Sequence, residues 1–307
     1  MTAFEYTITD SIGIHARPAG MLAKEAAKFK SKVFLHFGDK KADARRLIAI
    51  MGMGIKHGNT VRVEVEGEDE AEAAAQIEAF FQGEPVRSER DGADFRQRRI
   101  QRRSGRPDQL LPQSKRRHSA HEVSDTAAEL ERFRAARETA KEQLAKLYDK
   151  ALAEAGEDAA MLFEAHQMML DDLDFVESIE GMIENDRVNA EAAVSDTGAQ
   201  FAEMFAAMDD SYMQARAADI RDISTRVIGI LTGEGESGIV SDVPCIVAAD
   251  DLAPSETVQL DKSLILGFIT SAGSANSHTA ILARTMGIPG HYQCRRCSGF
   301  SASAWKE

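Results

Sequence analysis

Apolar residues Phe4, Tyr6 and Ile8 alternate with polar neighbours at the chain start, the period-two pattern of a half-buried strand. From Ala16 to Phe29 the apolar set Ala19, Leu22, Ala23, Ala26, Ala27 and Phe29 returns at helical spacing. Lys32–Phe37 reads as a strand with Val33 and Leu35 on one face. A short helix over Arg46–Met53 and a strand alternating at Val61, Val63 and Val65 follow. An alanine-rich amphipathic helix over Glu70–Phe81 closes the unit, with Asp69 expected as its N-cap. The order β-α-β-(β)-α-β-α predicts an α+β open-faced sandwich over residues 1–82, with helices on one face of the sheet.

The pattern then stops. Between Arg90 and Arg117 lie nine Arg and one Lys against Asp91, Asp94 and Asp108, with no sustained period and with Gly105, Pro107 and Pro112 as breakers. Such a segment buries too little apolar surface to offset its ordering entropy, so residues 83–118 are expected to form a disordered linker. About 36 flexible residues give an end-to-end distance on the order of 35 Å. From Ser119 to about Arg226 the i, i+3, i+4 pattern returns. One long run ends at Gly156, and further runs cover Ala159–Leu170, Leu173–Asn185, Ala190–Met208 and Ser211–Leu231. Short connections predict antiparallel neighbours in a helical bundle. Met168 and Met169 are expected in the core, and His166 is expected to be structural.

After Gly233 the texture becomes α/β. Gly238–Val240, Cys245–Ala248 and Leu264–Ile269 read as short apolar strands, giving an incomplete α/β domain over residues 227–290. Only HYQCRRCSGFSASAWKE follows, read as an unrelated tail over residues 291–307. Its single CxxC, Cys294 to Cys297, has no partner pair or histidines at zinc-site spacing.

Two positions carry chemistry. In Gly13-Ile14-His15-Ala16-Arg17-Pro18, Pro18 is tolerated only in a first helical turn, so the helix starts near Ala16 and His15 stands at its N-terminus. Unpaired amides and the macrodipole favour an anion there, such as a phosphorylated imidazole, and Arg17 is a guanidinium donor two residues away. Imidazole is also a competent nucleophile near neutral pH. In Ser271-Ala272-Gly273-Ser274-Ala275-Asn276-Ser277-His278-Thr279 a small-residue loop leads into a helix, again placing a histidine beside helix-N-terminal amides. A plain surface or capping histidine is the bland alternative at each place.

GIHARPAGMLAKEAAKF, with IMGMGIKHGNTVRVEVEGEDEAEA further on, resembles the HPr phosphocarrier of the bacterial sugar phosphotransferase system. That resemblance implies His15 as phosphate carrier, Arg17 as its charge partner, and an apolar docking patch at Leu47, Ile48 and Met51. Where Gram-positive relatives carry a regulatory serine, this chain has Arg46, so serine phosphorylation is absent there. FEAHQMMLDDLDF, QARAADIRDISTRV, VAADDLAPSETVQLD and GFITSAGSANSHTAILARTMGIP resemble the phosphohistidine-bearing N-terminal half of enzyme I of the same system. This implies His278 as the phosphorylated histidine, Thr257 as its hydroxyl partner, and residues 119–226 as the carrier-docking subdomain.

The resemblance also predicts what is missing. Enzyme I takes phosphate from phosphoenolpyruvate in a (β/α)₈ barrel of about 250 residues, which has no counterpart here. Autonomous use of phosphoenolpyruvate is therefore not expected, and no cofactor or metal site is expected either, since the Mg²⁺ belongs to that barrel. The expected donor is an intact enzyme I or another phosphocarrier, and the expected acceptors are sugar permease domains of the EIIA type. The Arg-rich stretch and the tail are expected to be out-of-frame translation. A non-catalytic binding protein or decayed fragment is the alternative function, with nucleic-acid binding through the Arg stretch a third.

Composition narrows the field. Lys+Arg 37 against Asp+Glu 50 gives a net charge of −13, which argues against wholesale nucleic-acid binding. No apolar run approaches the roughly 20 residues of a membrane span. The start MTAFEYTITDS lacks the features of a secretory signal, and three cysteines make no disulfide framework. A cytoplasmic protein is expected.

Overall fold

The computed structural model describes residues 1–10, 13–83, 109–110, 119–233, 243–249, 252–261, 263–270 and 278–291. The first unit contains β1 (Thr2–Thr7), α1 (Ala16–Ala26), β2 (Lys32–Phe37), β3 (Lys40–Asp43), α2 (Leu47–Gly52), β4 (Thr60–Glu66) and α3 (Glu70–Gly83). The sheet is antiparallel in the order β1-β4-β2-β3, with Phe4 and Leu35 both opposite Val63. Because side chains alternate across a strand, Val61, Val63 and Val65 all point inward. They are fully buried with Val33, Leu35, Leu22 and Ile77 under the helices. This is the expected open-faced sandwich. Asp69 departs from expectation. Its backbone carbonyl accepts the first helical bond of α3, from Ala73, but its carboxylate turns to the α1–β2 connection. There it accepts the amides of Lys30 at 2.9 Å and Ser31 at 2.8 Å, together with the Ser31 hydroxyl. These bonds, that of the Ser31 hydroxyl foremost, hold it at about 2, well below the usual carboxylate range.

The second unit is a bundle of α4 (Thr126–Ala155), α5 (Glu157–Leu170), α6 (Leu173–Asn185), α7 (Ala190–Ala206) and α8 (Ser211–Thr232). Asp125 caps α4 by accepting the Ala128 amide at 3.0 Å. Gly156 ends α4 and starts α5 at φ +92°, backbone that a side chain would strain. Phe133, Phe163, Phe175 and Phe205 fill the bundle core, and Met168 and Met169 are buried as expected.

A second sheet, in the order β5-β6-β7-β8, is wholly parallel. It joins β5 (Gln109–Leu110), β6 (Cys245–Ala249), β7 (Ile265–Thr270) and β8 (Gly290–His291), with α9 (Pro254–Gln259) and α10 (His278–Thr285) between them. The expected strand over residues 238–240 lies outside the described residues. Two expectations need correction. The stretch read as linker supplies a strand, Gln109–Leu110, which pairs with Val247 and Ala248. The residue read as the first of an unrelated tail, His291, pairs with Ile269. Two-residue strands carry no readable period, and a parallel neighbour supplies what their own sequence does not.

Among the described residues no helix is long and apolar enough to cross a membrane. The two larger units touch: α1 packs against α5, and α2 against α5 and α6.

Candidate functional site

The helix α1 starts at Ala16, as the sequence predicts, with Pro18 in its first turn, and His15 is its N-cap in extended conformation, its carbonyl accepting the Ala19 amide at 2.9 Å. The helix supplies unpaired amides there, and Arg17 sits in its first turn. The imidazole side chain is 12% exposed, with Nε2 3.7 Å from Asp10 Oδ2. Burial pulls its pKa down to about 4. Asp10 opposes the shift, and Arg216 and Arg17 add to it. At neutral pH the ring is therefore uncharged, with a lone pair available as nucleophile.

Arg216 is a site residue that the sequence reading missed. It comes from α8 and is buried, with Nη1 donating to Asp219 Oδ2 at 2.9 Å. Behind that pair lies His166 of α5, wholly buried. Its Nε2 is 3.4 Å from Asp219 Oδ1 and its Nδ1 is 4.0 Å from Asp222 Oδ2. Asp222 in turn accepts the Ser255 amide at 3.2 Å and its hydroxyl at 2.6 Å. A buried polar chain thus leads from the neighbourhood of His15 through the bundle to α9. Its sequence signal is Arg216, Asp219 and Asp222 at i, i+3 and i+6, three charges on one side of a helix that is otherwise buried there.

Thr257, in α9, is fully buried, and its hydroxyl donates to the Ala253 carbonyl at 3.0 Å. His278 begins α10. Its side chain and residues 271–277 lie outside the described residues, and so does the expected pairing of His278 with Thr257. Among the described residues no three His, Cys, Asp or Glu side chains are placed to hold a metal.

Leu47, Ile48 and Met51 lie on α2. All three are buried, on the helix that packs against α5 and α6. The Ile48 amide donates across the junction to Asp172 Oδ2 at 3.1 Å. Asp172 also caps its own helix, accepting Asp174 N at 3.0 Å and Phe175 N at 3.3 Å. Burial pushes its carboxyl up to about 6, against the pull of those amide bonds. Around this contact Arg46 reaches Asp174 at 2.5 Å and Glu177 at 2.8 Å, and Lys56 reaches Asp210 at 3.1 Å.

Comparison with known proteins divides the chain in the same way. Residues 2–83 match the family described as PTS HPr component phosphorylation site. Residues 104–216 match PEP-utilising enzyme, N-terminal, and residues 241–296 match PEP-utilising enzyme, mobile domain. The latter two reach into both segments expected to be unrelated, which removes residues 104–117 and 291–296 from the out-of-frame expectation. The phosphoenolpyruvate-protein phosphotransferase of Bacillus subtilis is 43% identical over 170 residues, covering 54% of this chain and 30% of that protein. An NMR structure of Enzyme I (nEIt) is 35% identical, covers 57% of this chain and 72% of the other, and has a TM-score of 0.47. HPr from Thermoanaerobacter tengcongensis is 35% identical, covers 27% of this chain and 99% of its own, and has a TM-score of 0.25. The chain spans about 30% of the length of the curated relatives it matches.

Proposed function

From the premise that this chain belongs to the HPr and PEP-utilising enzyme families, joined in one polypeptide, we propose that it relays phosphoryl groups in the sugar phosphotransferase system. In this reading His278 and His15 exchange the group, and His15 passes it on to permease domains of the EIIA type. A complete enzyme I or another phosphocarrier charges the chain. The step breaks the P–N bond of the donor imidazole as a lone pair of the His15 ring forms a new one, and the donor ring keeps the released electron pair. Such transfers depend chiefly on positioning and charge neutralisation. Arg17, with the amides at the start of α1, supplies the positive field in this reading, and no resident metal or cofactor is assigned.

One observation carries the reading above all. An uncharged, partly desolvated imidazole stands on the N-cap residue of α1, beside Arg17 and the buried Arg216. The test supplies phosphoenolpyruvate with and without a complete enzyme I and follows phosphate onto the full chain. Labelling of His15 in the presence of the donor, lost in His15→Ala, is expected. Equal labelling of wild type and His15→Ala would remove the carrier assignment. No labelling at all would leave a binding protein.

A further inference from the structure

An acidic side chain, Asp10, faces the His15 ring. Its Oδ2 lies 3.7 Å from Nε2, and both side chains are only 12% exposed, so little water screens the pair. Asp10 also lines a mainly apolar cavity with Ile8, Ile14, Pro18 and Phe81. Its backbone fixes its place. The Asp10 carbonyl accepts the Gly13 amide at 3.1 Å and His57 Nδ1, from the loop before β4, also at 3.1 Å. Gly13 stands at φ +87° against that same loop, where a Cβ would overlap the Ile55 carbonyl oxygen. The next amide, Ile14, donates to that oxygen at 3.0 Å. The approach to α1 is thus clamped to the loop before β4, with the Asp10 carboxyl on the Nε2 side of the ring.

The charges around the ring divide by role. Burial and two guanidinium groups, Arg216 and Arg17, oppose positive charge on the imidazole, whereas Asp10 favours it. The guanidinium groups suit the phosphoryl oxygens, and the ring has a different need. A neutral ring that attacks through one nitrogen, while the other keeps its proton, becomes positively charged as the P–N bond forms. When the group leaves again, the same proton lets the ring depart as neutral imidazole rather than as the far poorer leaving group imidazolide.

We propose that Asp10 is a positioning residue for phosphoryl transfer, whose carboxylate keeps the proton of the His15 ring on Nε2 so that Nδ1 takes and releases the phosphoryl group. In the forward step the Nδ1 lone pair forms the new bond to phosphorus, and the donor ring keeps the electron pair of the bond that breaks. In onward transfer the P–Nδ1 pair returns to His15, and the Nε2 proton never leaves. At 3.7 Å the contact is longer than a formed hydrogen bond, as catalytic contacts in unreacted sites often are, and the developing ring charge draws it in. The inference rests on the relay reading, but its first measurement needs no phosphate, so the two fail separately.

The test compares the full chain with Asp10→Asn and Asp10→Ala, which remove the charge, and Asp10→Glu, which keeps it. Nuclear magnetic resonance of the His15 ring nitrogens is read first. From a wild-type midpoint of about 4, loss of the carboxylate is expected to lower the titration by about one pH unit and to move part of the neutral-ring proton to Nδ1. Phosphoenolpyruvate and a complete enzyme I are then supplied at neutral pH. The Asn and Ala variants are expected to label His15 about tenfold more slowly at saturating donor, with the half-saturating donor concentration unchanged. Asp10→Glu is expected to recover most of the rate. Hydrogen exchange at the Val33 and Val63 amides, inside the first sheet, checks that the carrier unit stays folded. A wild-type midpoint and rate in Asp10→Asn would overturn the proposal, and so would equal slowing in Asp10→Asn and Asp10→Glu. A midpoint that shifts as expected, with no labelling even of the wild type, would remove the relay reading and leave the action of Asp10 on the ring standing.

Discussion

Asp172 accepts the Ile48 amide at 3.1 Å through Oδ2 while its Oδ1 caps α6. One carboxylate thus terminates two helices from different units, α6 of the bundle and α2 of the carrier. Ile48 stands in the first turn of α2, whose amides lack intrahelical partners. At its own N-cap, Arg46 makes no side-chain capping bond. The bundle therefore completes a helix that the carrier leaves open, and local structure and docking share one group.

Asp172→Ala should accordingly act twice. Loss of the α6 cap costs about 1 kcal/mol, and an Ile48 amide left buried without a partner adds about 1–3 kcal/mol to undocking. Asp172→Asn keeps one acceptor oxygen, which can serve the α6 cap, and turns an NH2 donor toward the Ile48 amide, so it should retain most of the first effect and lose the second. Urea unfolding of the full chain reads the first effect, and exchange at Ile48 the second. Equal behaviour of the Ala and Asn variants would mean that capping is not what Asp172 does.

The junction between bundle and α9 rests on Ser255. Its hydroxyl and amide are both donors to Asp222, which is buried next to His166. Ser255→Ala removes one donor from a carboxylate that has lost most of its water, at a cost of about 1–3 kcal/mol. Thr257 follows two residues later in the same short helix. Exchange at its amide, which bonds to Ala253, should rise in Ser255→Ala, and the urea midpoint should fall. A variant as stable as wild type, with α9 equally protected, would show that the Asp222 contact does not hold that helix.

Much of this architecture is legible in sequence, for reasons that differ by element. Pro18 is tolerated only in a first helical turn, so the start of α1 near Ala16 and the place of His15 at its N-terminus follow without a structure. Val61, Val63 and Val65 alternate because one face of β4 is covered and the other is not. Arg216, Asp219 and Asp222 escaped notice because an apolar-periodicity reading passes over charges whose partners include His166 on α5 and Ser255 on α9. Arg46 was legible only as the absence of a serine. Its use, on two carboxylates some 130 positions away, is a property of docking. Met168 was expected in a core and is in one, but that core is shared with Gly20 of the other unit.

Docking should respond to acid through two groups of opposite sign. His15 is held at about 4 in the docked chain, below its ordinary 6.5, and on the premise that docking supplies this burial the docked state should reject a proton that the undocked state binds. Its contribution is fully present above pH 6.5 and is lost as pH falls toward 4. Asp172 is held at about 6 in the docked chain, above its ordinary 3.8, and on the same premise the docked state should keep a proton that the undocked state releases. Its contribution grows as pH falls through 6 toward 3.8 and is lost as pH rises. The two windows overlap, and wild-type docking should vary little between pH 6 and pH 4. Removing either group should unmask the other. With Asp172→Asn, docking should weaken on acidification, by up to about tenfold per pH unit. With His15→Ala it should strengthen over the same range. Exchange at Ile48 in the full chain, corrected for intrinsic pH dependence, measures both. Slopes of the same sign in the two variants would show that neither group is desolvated by docking.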